Sequence, residues 1–253
     1  MEHTRTVKRE FTRQAEAFAQ SPDLRAPEVT LRIARALEDS KAARVLDVAC
    51  GPGVLTPALC EVAPEVIGLD LTRKTLQLAR DACATSSNAA FVQGLAERSP
   101  FGDGCFDAAV IRLALHHTER PARVLAELRR LLRAGGRLVI LDILTSQDNA
   151  IAELHNALER LRDPSHTTFL SKEQLRGEIL RAGFALRSEN SWRADRDFAG
   201  WARIITEPRR MESLEVVLRH LERAGVETGL DLSERSGQLW LTYEWGEFVA
   251  EAE

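Results

Sequence analysis

Two aspartates and a pair of glycines carry the first chemical signal in this 253-residue chain. The segment Asp47-Val-Ala-Cys-Gly51-Pro-Gly53 sets an acid inside a short apolar run and glycines just after it. Glycines there permit a sharp turn and let backbone approach a ligand closely. A helix opening directly afterwards turns its free N–H groups on the same spot. A second apolar run, Val66-Ile-Gly-Leu-Asp70, ends in an acid nineteen residues after Gly51. A carboxylate at that place can accept both hydroxyls of a ribose, so the combination reads as a site for a nucleoside-containing cofactor.

Two details select among such cofactors. The dinucleotide fingerprint needs a third glycine at position 56, where this chain has Thr56. Asp47 would repel a pyrophosphate but suits an ammonium, directly or through water; its alternative role is to cap the turn. S-adenosylmethionine carries an ammonium and a sulfonium and no phosphate, which makes it the better match.

The elements needed to position these groups are visible in the patterning. Residues 44–49, 66–70, 90–93, 106–111 and 137–142 are short apolar runs without strict alternation, suited to strands buried on both faces. Helix-period stretches 54–62, 72–83 and 121–132 lie between them, the last running into Arg133-Ala-Gly-Gly136, basic residues and a glycine stop. Strand and helix in alternation predict an α/β doubly wound, mostly parallel sheet with right-handed crossovers. Its ligand belongs outside the carboxyl ends of the strands, at the switch point. Residues 6–20 and a stretch opening at Pro27 and ending near Asp39-Ser40 read as helices, with a break at Ser21-Pro22-Asp23. Further on, helices are expected over 151–161, from the capped start Ser171 to Gly183, over 197–205 and over 213–224. Strands over 184–192 and 238–245 would complete a seven-stranded sheet. Residues 1–40 then cover the site, 41–145 bind the cofactor, and 146–253 supply lid helices and the last strands.

In order along the chain, Val45-Leu-Asp-Val-Ala-Cys-Gly-Pro-Gly53, Gly68-Leu-Asp70, Gly94-Leu-Ala-Glu97 with Pro100-Phe101, Phe106-Asp107, Leu115-His-His117 and Leu131-Leu-Arg-Ala-Gly-Gly-Arg137 resemble the class I S-adenosylmethionine-dependent methyltransferases. The type they are most similar to is the ubiquinone/menaquinone-biosynthesis methyltransferases. The resemblance covers residues 40–145 well and the rest loosely. It implies a Rossmann-like methyltransferase fold. It also implies that Ala49 and Gly51 offer backbone to the methionine part of the cofactor above Asp47, and that Asp70 binds the ribose. Leu71 would lie against the adenine, Leu95 and Ala96 would edge it, and Arg112 would sit near the methionine end. Two positions depart from the family pattern. Ala49 replaces the usual first glycine. Leu95 replaces a common aspartate that accepts the adenine amine, a hydrogen bond worth about 1 kcal/mol.

Methyl transfer is an in-line displacement, so holding the nucleophile close to the methyl supplies much of the acceleration. A phenol or acidic carbon nucleophile also needs a base, usually a histidine or carboxylate. Of six histidines, His117 follows the fourth strand on the cofactor side and is a candidate base or substrate contact; its bland alternative is a hydrogen-bonded loop residue. His166, after Asp163-Pro164-Ser165, is a second candidate from the lid, where His155 also lies. His116 reads as structural, and His3 and His220 lie far from any motif. Arg112 is also a candidate partner for a substrate carboxylate. Phe18, Phe169 and Trp192 would line an aromatic pocket or fill the core.

Composition narrows the partners. With 34 Lys+Arg against 38 Asp+Glu, the net charge of −4 leaves no cationic surplus for a duplex. The loop after the fourth strand, Arg112-Leu-Ala-Leu, is not the N/D-P-P-Y/F type of base-amine methylases. Cys50, Cys60, Cys83 and Cys105 form no C-x-x-C pair, so neither a zinc site nor any other metal centre is expected. Reduced thiols, no apolar leader after Met1 and no membrane-spanning run point to the cytoplasm. The expected activity is methylation of a small organic metabolite, aromatic or polyketide-like, at oxygen or carbon. The rivals are a non-methylating or non-catalytic use of the same fold and a NAD-dependent oxidoreductase. The last strand and the helix from Ser213 leave room for a homodimer.

Overall fold

The computed structural model describes residues 2–21, 24, 27–38, 40–205 and 207–253. Strands β1 (Arg44–Val48), β2 (Glu65–Asp70), β3 (Ala89–Gln93), β4 (Phe106–Arg112) and β5 (Leu132–Leu144) run parallel in the order β3-β2-β1-β4-β5. Neighbouring residues of these strands alternate between two helix-covered faces. Leu46, Ile67, Ala109 and Ile140 pack towards α5 (Pro121–Leu131) and α7 (Lys172–Arg181). Val45, Val66, Val110 and Val139 pack towards α2 (Pro27–Glu38) and α3 (Thr56–Val62). Burial on both faces is why these runs lacked a polar alternation. Strand order reverses between β1 and β4, so the carboxyl ends of these two strands form the switch point. Helix α4 (Arg73–Ala82) covers β2 and β3.

The second half of the sheet is antiparallel. β8 (Gln238–Ala252) inserts between β5 and β6 (Phe184–Asp197), completing the seven-strand path β3-β2-β1-β4-β5-β8-β6. An eighth strand, β7 (Ser233–Arg235), folds onto the start of β8 through Ser236-Gly237, both at positive φ. That is the twist a two-residue hairpin needs, in a strand too short to show a period. β6 and β8 are longer than expected and extend past the parallel core. On this extension α6 (Asn149–Arg162), α8 (Phe198–Ala202) and α9 (Pro208–Arg223) bury a separate cluster around Trp201, Met211, Leu218 and Leu241. Helix α7 begins with the expected capping box, Ser171 with Gln174.

Two expectations are corrected. The glycine stop Gly135-Gly136 lies inside β5, where the ladder to β4 shifts register between Phe106 and Ala108; α5 ends earlier, at Leu131. Helix α1 begins at Glu2, not residue 6, and runs to Gln20. The Pro22-Asp23 break and Asp39 lie outside the described residues. All four cysteines are free thiols, and among the described residues no helix is long and apolar enough to cross a membrane.

Candidate active site

At the switch point the backbone is bent by three residues in the left-handed region: Ala49 (φ 54°), Gly51 (φ 54°) and Gly53 (φ 76°). Gly53 cannot be replaced without displacement, because a Cβ there would stand 2.8 Å from the Cα of Ala79. Ala49 holds the same conformation with a side chain, at a cost of roughly 1–2 kcal/mol. Asp70 fastens this turn. Its Oδ2 accepts the Gly51 N–H at 3.0 Å, while Oδ1 accepts the Thr72 N–H at 2.7 Å and the Thr75 hydroxyl at 2.8 Å. Burial raises its pKa in spite of these donors.

Asp47 is 2% exposed. Thr56 Oγ1 donates to its Oδ2 at 2.7 Å, which gives position 56 a purpose that sequence reasoning recorded only as a missing glycine. Burial pushes the Asp47 carboxyl up to about 7, with Thr56 and Arg112 opposing. Arg112, brought down to about 10 chiefly by burial, donates through Nη2 to the Leu24 carbonyl at 2.6 Å, and its Nε has no partner. Asp47 and Arg112 share a cavity of about 500 Å³ with Ala49, Gly51, Phe11 and Phe18. An adjoining cavity of about 720 Å³ is lined by Ala49, Gly51, Asp70, Leu71, Leu95 and Ala96 under the start of α1. Every residue expected at the cofactor is therefore placed along two connected cavities. Leu95, 38% exposed, forms their rim.

A third cavity, of about 610 Å³, adjoins both across Leu113, itself held at φ 51°. His117 lines this chamber and the cofactor cavity. Its Nδ1 lies 3.1 Å from the Ser165 carbonyl and from Ser165 Oγ, and that hydroxyl donates to Asp163 at 2.6 Å. The carbonyl can only accept, so Nδ1 carries the proton and Nε2 keeps its lone pair. Burial, with His116 adding, holds His117 down to about 4, a neutral imidazole. His166 donates from Nε2 to Asn156 Oδ1 at 2.7 Å, and burial keeps its pKa low.

Sequence reasoning missed several groups here. His116, read as structural, meets Asp142, at the end of β5, at 2.5 Å and lines the chamber. His3 was set far from the site, yet its Nε2 lies 2.8 Å from the His117 carbonyl and it lines the cofactor cavity. Glu159 accepts from the Tyr243 hydroxyl and from Arg162, and Trp201 Nε1 donates to the Tyr243 oxygen at 2.5 Å. Apart from Glu159 and Arg162, one helical turn apart, none of these pairs is close in sequence, so no spacing announced them. Phe18 and Phe169 line the chamber, whereas Trp192 stacks on Trp245 with ring centres 5.9 Å apart and does not.

The profile of a family described as "Methyltransferase domain" matches residues 46–140. An uncharacterized methyltransferase, YcgJ of Bacillus subtilis, is 30% identical over 186 residues, 73% of each chain. A demethylmenaquinone methyltransferase of Clavibacter sepedonicus is 28% identical over 169 residues, 67% of each. The crystal structure of YcgJ superposes with a TM-score of 0.81 at 25% identity, covering 88% of this chain and 97% of that one. With Thr56 bound to Asp47 where a dinucleotide site needs glycine, these likenesses set the oxidoreductase reading aside. The chain belongs to the class I S-adenosylmethionine-dependent methyltransferases, and S-adenosylmethionine is its cofactor.

Proposed function

We propose that the enzyme methylates a small organic molecule at oxygen or carbon, bound in the chamber beside His117. The observation that carries this reading is that His117 lines both the cofactor cavity and the chamber, with its Nδ1 proton fixed on Ser165. Bound S-adenosylmethionine supplies an electrophilic methyl group on a sulfonium. Asp47 would hold its ammonium, Arg112 its carboxylate, and the backbone at Ala49 and Gly51 would border its methionine part. Asp70 would take the ribose hydroxyls, and Leu71, Leu95 and Ala96 would enclose the adenine. Residues 41–145 thus serve the cofactor, while 1–40 and 146–253 wall the chamber and exclude water.

The Nε2 of His117 accepts the proton of a hydroxyl or an acidic C–H as that atom becomes the nucleophile. Asp163, reached through Ser165, favours the charged ring that results. The His116–Asp142 pair supplies a second oriented imidazole on the same wall, and His166, pinned on Asn156, fixes the far side. His117→Ala and His117→Gln are expected to keep S-adenosylhomocysteine binding, read by thermal shift. Transfer of labelled methyl from S-adenosylmethionine to acceptors in a metabolite extract should fall by about 10²-fold. Undiminished transfer in both variants would place the base elsewhere.

A further inference from the structure

The chamber holds a buried amide that the proposed chemistry does not use. Val7, Phe11, Gln14 and Phe18 recur at helical spacing along the face of α1 that roofs the site. Gln14 is 0% exposed and lines the chamber, and neither of its amide atoms has a hydrogen-bond partner among the described residues. An unpartnered buried amide is costly, and an apolar side chain would fill the position without that cost. Trp245, on the same chamber wall, has a buried indole N–H that is likewise unpartnered. The neighbouring polar groups are committed: His116 to Asp142, His166 to Asn156, and Tyr243 and Arg162 to Glu159. Besides the lone pair on His117 Nε2, what remains unspent among these groups is one acceptor, Gln14 Oε1, and three donors, Gln14 Nε2, Trp245 Nε1 and Arg162 Nε.

We infer that Gln14 is a specificity-determining residue whose amide reads a hydrogen-bond donor and acceptor standing side by side on the methyl acceptor, with Trp245 donating to a further oxygen. A flat lactam with a separate hydroxyl or enolic carbon as nucleophile meets the requirements of Gln14 and Trp245. Phe18 and Phe169 give such a ring apolar walls. The ion pair of Arg162 with Glu159 balances both charges, which favours an uncharged ring face. The inference rests on the chamber being the acceptor site.

The test uses the full chain saturated with S-adenosylhomocysteine and two isosteric probes. These are 4-hydroxy-2(1H)-quinolone, with a ring N–H beside its carbonyl, and 4-hydroxycoumarin, with a ring oxygen there. Calorimetry is expected to show the quinolone binding about tenfold more tightly, because the coumarin leaves Gln14 Oε1 facing an oxygen. Gln14→Leu and Gln14→Met should bring the two probes within about twofold by weakening the quinolone, with S-adenosylhomocysteine affinity unchanged. Equal binding to the wild type, binding of neither probe, or a preference that survives both substitutions overturns the inference. So does a variant that melts higher and binds both probes as before, since the amide then served only water. The wild-type comparison decides the matter even if neither variant folds. Failure of S-adenosylhomocysteine itself to bind is a separate result, and it strikes the reading of the cofactor cavity.

Discussion

Cofactor affinity should depend on pH through Asp47. This carboxyl sits under the turn with only Thr56 and the nearby Arg112 favouring its charge, and burial pushes it from an ordinary 3.8 up to about 7. A ligand ammonium over Asp47 requires the ionised form. With a pKa of about 7, roughly nine-tenths of the protein carries the proton at pH 6 and roughly one-tenth at pH 8. Apparent affinity should therefore rise about tenfold between these values, or about 1.4 kcal/mol. Close to one proton should leave per ligand bound at pH 6 and almost none at pH 8. Calorimetry with S-adenosylhomocysteine in buffers of differing ionisation heat reads both quantities. Asp47→Asn should bind weakly at both pH values and release no proton. The same carboxyl opposes folding: protonated in the native state well above pH 4, it gives stability that is lost as pH rises from about 4 to 7. The total is at most roughly 4 kcal/mol, so Asp47→Asn should be the more stable protein at pH 8. Binding that is flat with pH and releases no proton would refute the reasoning about burial and about the ammonium together.

Two further outcomes follow from the geometry. Ala49→Gly relieves a left-handed residue with a side chain at φ 54°; relief of ~1–2 kcal/mol exceeds the ~0.4–1 kcal/mol of freedom that the unfolded chain gains, so the variant should be more stable by about 1 kcal/mol and melt ~2–4 °C higher; an unchanged or lower melting temperature contradicts the strain. His117, His155 and His166 all have pKa values lowered by burial, so each stabilises fully above its unfolded value of about 6.5 and less as pH falls toward its folded one. Urea unfolding should show lower stability at pH 5 than at pH 7, with three histidines outweighing the opposite trend of Asp47; higher stability at pH 5 would show the rings to be protonated in the fold.

The parallel half of the fold was legible because its strands are apolar on both faces and its turn needs glycine at Gly51 and Gly53. The cofactor cavities followed, since Asp47 and Asp70 lie within a few residues of those turns. The antiparallel insertion of β8 between β5 and β6 was not legible: it pairs residues from 43 to 114 positions apart, and pairing over such distances leaves no local period. The chamber was hidden for the same reason. Asp142 reaches His116 from the next strand, Glu159 reaches Tyr243 across 84 positions, and His3 reaches His117 across 114. Thr56 shows a different failure. Its identity was noticed, but only as a residue that was not glycine, and its hydroxyl was not matched to the buried acid beneath it.

Helix α1 lines all three cavities: His3 and Val7 in the one beside Asp70, Phe11 in the one beside Asp47, and Gln14 and Phe18 in the chamber. It is tied down by few polar links, among them Arg13 to Glu207 and Glu16 to Lys74. In the proposed reading one segment roofs both reactants, so spent cofactor and methylated product would leave past the same nineteen residues, none of which takes part in bond-making.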